Sequence, residues 1–114
     1  MAVRATATNT GISVKKLMPI IDLVRGRVVD DALEILQFLP SPAAAKVAKV
    51  VKAAASNAEN EILARPSDLR IIEIFANEGP RTKRFRARAR GRVAKIIRRN
   101  SHVTVVVDET EEVV

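Results

Sequence analysis

The sequence predicts an α+β fold with a long basic β-hairpin standing off it. Three observations carry this. Apolar residues recur at helical spacing through the first sixty positions. Two β-branched segments, 69–76 and 103–107, mark the second half as strands. Between them, residues 81–99 hold ten basic side chains and no acidic one, and Arg84, Arg86, Arg88, Arg90 and Arg92 recur at every second position. That period belongs to a strand: on a helix, residues two apart are turned by ~200°, so the arginines would encircle the axis without forming a stripe.

The elements follow in order. Residues 2–10 are Thr-rich and alternate weakly through Val3, Ala5 and Ala7, as an edge strand does. Ser13 caps a first helix that runs to about residue 24, with Leu17, Ile20, Ile21 and Val24 on one face and Gly26 ending it. Pro19 either kinks this helix or delays its regular start, because it removes a helical N–H. Asp30 or Asp31 caps a second helix with Leu33, Leu36 and Phe38 or Leu39 inward, and Pro40 stops it. Ser41-Pro42 opens a third helix reaching about 57–61. Its inner face is Ala44, Val47, Val51, Ala54 and Ala58, while Lys46, Lys49 and Lys52 lie along an exposed edge. Residues 62–67 read as a loop, and Asn77-Glu78-Gly79-Pro80 as a bend.

Antiparallel pairing of 69–77 with 102–109 sets Ile71 opposite Val107 to Glu109 and Gly79 opposite Ser101. The hairpin centre then falls at Ala89-Arg90-Gly91, where a turn needs a glycine. Each leg beyond the body is about ten residues, so the arm reaches ~30 Å. The expected organisation is one domain: a body of about 1–78 and 101–108, a hairpin of about 79–100, and an acidic tail, 108–114, that frays.

Charge distribution narrows the function. The formal charge is +7 over 114 residues, yet outside 81–99 the chain has ten basic residues against thirteen acidic ones. A mildly acidic body carrying so dense a cationic insertion points first to nucleic acid and second to an anionic membrane. A membrane-surface arm needs bulky apolar residues opposite its charge, and only Phe85 precedes Val93. An architectural DNA-binding arm remains an alternative, although such arms often insert an apolar wedge at the tip, where this chain has Ala87, Ala89 and Gly91. Enzymatic chemistry finds no Gly-rich phosphate loop, metal-ligand spacing or nucleophile–base pair. There is no cysteine, and His102 is the only histidine. No cofactor, metal or small-molecule substrate is expected. No apolar run is long enough to span a bilayer, and the N-terminus lacks the apolar core of a secretory signal. The expectation is a cytoplasmic protein.

The segment 79–107 resembles the bacterial large-subunit ribosomal protein L twenty-two family. The matching elements are Glu78-Gly79-Pro80, Lys83-Arg84-Phe85, Arg88-Ala89-Arg90-Gly91-Arg92, Arg99, and the run Ser101-His102-Val103-Thr104-Val105-Val106-Val107. Upstream, residues 21–27, 32–36 and 56–60 match in order, so the resemblance covers about 12–108. Ala87 stands where proline is usual, Val14 replaces a proline, Pro19 replaces an aliphatic residue, Asn100 replaces a threonine, and Glu61 follows Asn60 where asparagine or histidine is more familiar.

The resemblance implies three helices packed on a three-stranded antiparallel sheet, with a long hairpin. It implies a body near the exit of the nascent-peptide tunnel and an arm running inward through ribosomal RNA. The implied partners are large-subunit ribosomal RNA, neighbouring large-subunit proteins and, at the tip, the nascent peptide. It also implies a part in subunit assembly. The RNA-facing residues would be Arg81, Lys83, Arg84, Arg86, Arg88, Arg90, Arg92, Lys95, Arg98 and Arg99. The tip would be Arg86, Ala87, Arg88, Ala89, Arg90, Gly91 and Arg92. Lys15, Lys16 and Arg25 either contact RNA or are plain surface. Ser101 belongs with the RNA-facing set, and His102 is either a hydrogen-bonding partner of RNA or a satisfied side chain at a strand start.

Overall fold

A computed structural model of the chain describes residues 2–80, 82–87, 91 and 93–109, with 82–87 and 93–98 described through their backbone alone. The order is β1 (Val3–Ala7), α1 (Val14–Val24), α2 (Val29–Gln37), α3 (Pro42–Ile62), a 3₁₀ turn (Pro66–Asp68), β2 (Leu69–Glu78), β3 (Thr82–Ala87), β4 (Val93–Arg98) and β5 (Ser101–Glu109). Three strands form one antiparallel sheet in the order β1-β5-β2, and β3 pairs with β4 as a separate antiparallel hairpin. This is the α+β architecture expected.

The helices lie against the sheet: α1 on β2, α3 on β1 and β5, with α2 packed on α3. The stripe of α3 explains the close approach. Ala44, Val47, Val51, Ala54 and Ala58 are fully buried, and the alternating three- and four-residue spacings among them build one apolar face. They meet Val103, Val105 and Val107 of the central strand, also fully buried. Leu17, Ile21 and Val24 of α1 close the core over Ile71 and Leu69.

Helix ends follow local chemistry, with two departures. Ser41 caps α3 as expected: its Oγ accepts from the Ala43 N–H at 3.2 Å, and Pro42 occupies the first turn. α2 is capped by neither aspartate. Val28 is its N-cap, because Val28 is held extended in a bridge to Arg70 and the helix starts directly from it. Asp30 and Asp31 instead sit in the first turn, where negative charge meets the positive end of the helix dipole. Nor does Pro19 delay or divide α1, which runs as one element from Val14. Pro19 is exposed, so its lost N–H leaves the Lys15 carbonyl on the wet side of the helix. Past α1, Gly26 takes φ +78°, the left-handed turn that glycine tolerates, and its N–H reaches the Ile71 carbonyl at 3.2 Å.

The pairing of β2 with β5 is antiparallel as expected, with Ile71 inside its expected range of partners, but Ser101 faces Glu78, one residue from the expected Gly79. Ile71 faces Val107, and Glu78 faces Ser101. A bulge between Ile71 and Glu73 leaves Ile72 as the extra residue, 47% exposed. The bend expected at 77–80 is absent: β2 runs through Asn77 and Glu78, and the Gly79 N–H continues the ladder to the Asn100 carbonyl at 2.9 Å.

Candidate nucleic-acid interface

The arm is a two-stranded ribbon that leaves the body where β2 and β5 begin to run alone. Its ladder sets Thr82 opposite Arg98 and Ala87 opposite Val93. Relative to the pair Glu78–Ser101, one extra residue has entered on the β2 side before the ribbon starts. Gly91 has φ +72°, in keeping with the turn expected there. The radius of gyration is 17.4 Å and the longest extent 70 Å, against 26 and 18 Å on the other axes. A compact chain of this length has a radius near 13 Å, so mass is carried well away from the body.

The register has an electrostatic consequence. The described pairs are Thr82–Arg98, Lys83–Ile97, Arg84–Ile96, Phe85–Lys95, Arg86–Ala94 and Ala87–Val93. None sets one cation directly across from another. A slip of one residue either way would oppose Arg84 to Lys95, or Arg86 to Lys95 and Lys83 to Arg98. Directly opposed like charges destabilise a sheet, and the described pairs avoid that cost.

Of the sequence-derived residues, Lys83, Arg84 and Arg86 lie on β3, and Lys95 and Arg98 on β4. Arg81, Arg88, Ala89, Arg90 and Arg92 lie outside the described residues. Arg99 is exposed in the link from β4 to β5. It shares a cleft of about 720 Å³ with Lys16 and with the starts of α1 and α3, through Gly11, Ser13, Ser41 and Pro42. An adjoining cleft of about 240 Å³ brings Arg99 beside Lys15, Glu78 and Asn100. Three sequence-derived cations thus gather at the base of the arm. Lys15 and Lys16 stand in the first turn of α1, which has no acidic residue, and the Ser13 side chain makes no capping bond. Positive charge there opposes the helix dipole, and an anion arriving at the cleft would relieve it.

Arg25 is elsewhere, at the other end of α1. It is bonded to Asp22 at 2.9 Å and reaches the Ile74 carbonyl at 3.4 Å. Ser101 is fully buried, with its hydroxyl directed at the Ile12 carbonyl at 2.6 Å, so it presents no surface. His102 is half-buried, and its Nδ1 accepts from the Asn9 N–H at 3.1 Å.

Two groups escaped sequence reasoning. One is the loop at 9–12, whose polar atoms converge on residues 100–102. The other is the apposition of the α1 and α3 starts beside Arg99. The serine caps at 13 and 41 were legible singly, and nothing local signals that they meet. Among the described residues no helix is long and apolar enough to cross a membrane.

A mildly acidic body, a cation-rich two-stranded arm and three cations gathered at its root together define a basic-armed α+β protein. Comparison with known proteins makes this specific. The family described as Ribosomal protein L22p/L17e matches residues 5–108. The chain is 49% identical over 107 residues to the large ribosomal subunit protein uL22 of Dehalococcoides mccartyi, spanning 94% of this chain and 98% of that one. It is 46% identical over 109 residues to the protein of that name from Pediococcus pentosaceus, spanning 96% and 92%. For the Roseiflexus castenholzii protein of that name, identity is 45% over 112 residues, spanning 98% and 99%. The chain belongs to this ribosomal protein family, whose members are structural components of the large ribosomal subunit.

Proposed function

We propose that this protein is a structural constituent of the bacterial large ribosomal subunit that binds large-subunit ribosomal RNA through its arm. In this reading it assists assembly and presents residues 86–92 to the nascent-peptide exit tunnel. The observation that carries the reading is the arm itself: ten basic residues and no acid in 81–99, five of them on the two described strands of a separate ribbon. Such a ribbon gains most of its order from a polyanion that neutralises it.

The contacts are chiefly electrostatic. Guanidinium groups fork onto phosphate oxygens, and their planes stack on exposed bases. Folded RNA is held largely through shape, phosphates and 2′-hydroxyls, so little base-edge readout is needed. Lys15, Lys16 and Arg99 extend the basic track to the base of the arm, where RNA phosphate would occupy the cleft between the helix starts. Neighbouring large-subunit proteins would meet the rest of the body, and the tip would meet the emerging peptide. The family's membership in the large subunit supports the RNA partner. The tunnel position rests on the resemblance of the tip segment 88–92 and on the arm's length.

Fractionating cells that carry a tagged copy, at moderate salt, tests the reading. Co-migration with the 50S particle is expected. Co-migration with the nucleoid instead would favour the architectural DNA-binding alternative and reject the ribosomal one.

A further inference from the structure

β1 ends at Ala7 opposite Val103, leaving the first two residues of β5, Ser101 and His102, without their outer neighbour. The loop 9–12 takes the strand's place there. The Thr10 N–H bonds the Ser101 carbonyl at 3.0 Å, and the Asn9 N–H bonds Nδ1 of His102 at 3.1 Å. Oδ1 of Asn100 accepts from the Gly11 N–H at 2.7 Å and from the Ser101 N–H at 2.9 Å, while its Nδ2 donates to Oδ1 of Asn9 at 3.2 Å. These bonds settle the orientation of the amide. The Ser101 hydroxyl donates to the Ile12 carbonyl at 2.6 Å, so Thr10 Oγ1 is the donor in the buried 2.8 Å contact between the two hydroxyls.

The opposite side of residues 100–102 is closed as well. Gly79 donates to the Asn100 carbonyl. A Cβ on Gly79 would lie 3.3 Å from the Asn100 carbonyl carbon and 3.3 Å from two atoms of the His102 ring. A side chain here would press on both neighbours by a few tenths of an ångström, and the glycine acts through close approach because its φ is not in the left-handed region. The glycine that reads as a hinge in the sequence is one jaw of a clamp. The register shift that begins the ribbon follows immediately, and beyond it two strands remain among the described residues.

We infer that Asn9, Thr10, Asn100 and Gly79 form a latch that fixes the direction in which the arm leaves the body. A two-stranded ribbon is marginal alone and bends readily at a bulge. Holding the β5 side of the joint by polar bonds, and the β2 side by the tight approach of Gly79 to Asn100 and His102, removes that freedom. The His102 ring then serves as a packing surface and acceptor inside the joint. The inference concerns the free protein and does not depend on what the arm binds.

The chain has no cysteine, so a Ser56→Cys, Lys83→Cys double variant takes two nitroxide labels, one on α3 and one on β3, near the joint. Pulsed electron–electron resonance gives their distance distribution in the full-length protein. One narrow distribution is expected in the latched protein, becoming about twofold wider with Asn100→Ala or Gly79→Ala, as local restraint is lost. Asn100→Asp keeps both acceptor bonds, from Gly11 and Ser101, and should stay near the native width. Val47→Ala lowers the melting temperature from within the core and should leave the width unchanged. If Asn100→Ala fails to fold, Gly79→Ala carries the same reading. Native widths in the folded latch variants, or equal broadening in Val47→Ala, would overturn the inference.

Discussion

The body and the arm reach order by opposite routes. In the body, helix faces of alanine, valine and leucine close on a valine-rich central strand, and charges of both signs are spread over the outside. Its stability comes from apolar surface removed from water, at roughly 25 cal/mol per Å². The described residues of the arm form two strands without a third neighbour, and its sequence carries one sign of charge. Its described cross-strand pairs set no cation directly opposite another. One chain therefore holds a part that folds on itself and a part that its partner completes. Mutations should separate the two cleanly.

The largest expected effect lies in the body. Leu17→Ala empties a fully buried position on α1 and should cost about 2–5 kcal/mol of unfolding free energy. RNA affinity, measured well below the new melting temperature, should keep its salt dependence. If the slope collapsed along with stability, the two regions would not be independent. The arm gives the mirror result. Replacing Lys83, Arg84 and Arg86 together by glutamine should move stability by no more than about 0.5 kcal/mol, as ordinary surface changes do. The slope of log affinity against log salt should fall by about 0.7–0.9 for each phosphate contact removed. Chemical denaturation and filter binding on one preparation read both quantities.

Smaller effects sharpen the boundary. Ser41→Ala removes the Ala43 cap bond and should cost about 1 kcal/mol with no change in RNA binding. Lys15→Gln with Lys16→Gln should have effects of opposite sign. It removes cations from the positive end of α1, raising stability by a few tenths of a kcal/mol, and it shallows the salt slope by about 1.5. Stability and affinity falling together would make these lysines structural and take them off the RNA track.

Much of this division is legible in the sequence because both halves rest on periodicity. A period of two among arginines, a valine run and one well-placed glycine suffice to pair Ile71 with Val107 and to centre a hairpin near Gly91. Ser41-Pro42 is readable because a cap and its helix are adjacent in the chain. What stays hidden depends on residues distant in sequence. The cap of α2 is Val28 because Arg70 holds it extended, and no local signal at Val28 reveals a partner forty residues on. Gly79 carries two signals, a bend before proline and a need for close approach, and only the position of the His102 ring decides between them. Ser101 is polar beside a basic arm, so the chain alone suggests an exposed group. Its burial follows from Thr10 and Ile12, ninety residues earlier.

The central claim is that the arm, and not the body, supplies most of the electrostatic attachment. It is tested by titrating the whole protein, and a form with residues 81–98 replaced by two glycines, against large-subunit ribosomal RNA over a range of salt. With about eight arm phosphate contacts contributing on the order of −6 to −7, and the cleft cations about −2 more, the whole protein should give a log–log slope on the order of −8 to −9. The shortened form should melt cooperatively, because the core lies outside the excised segment, and should give a slope of about −2 from the cleft cations alone. Equal slopes for the two proteins would contradict the account.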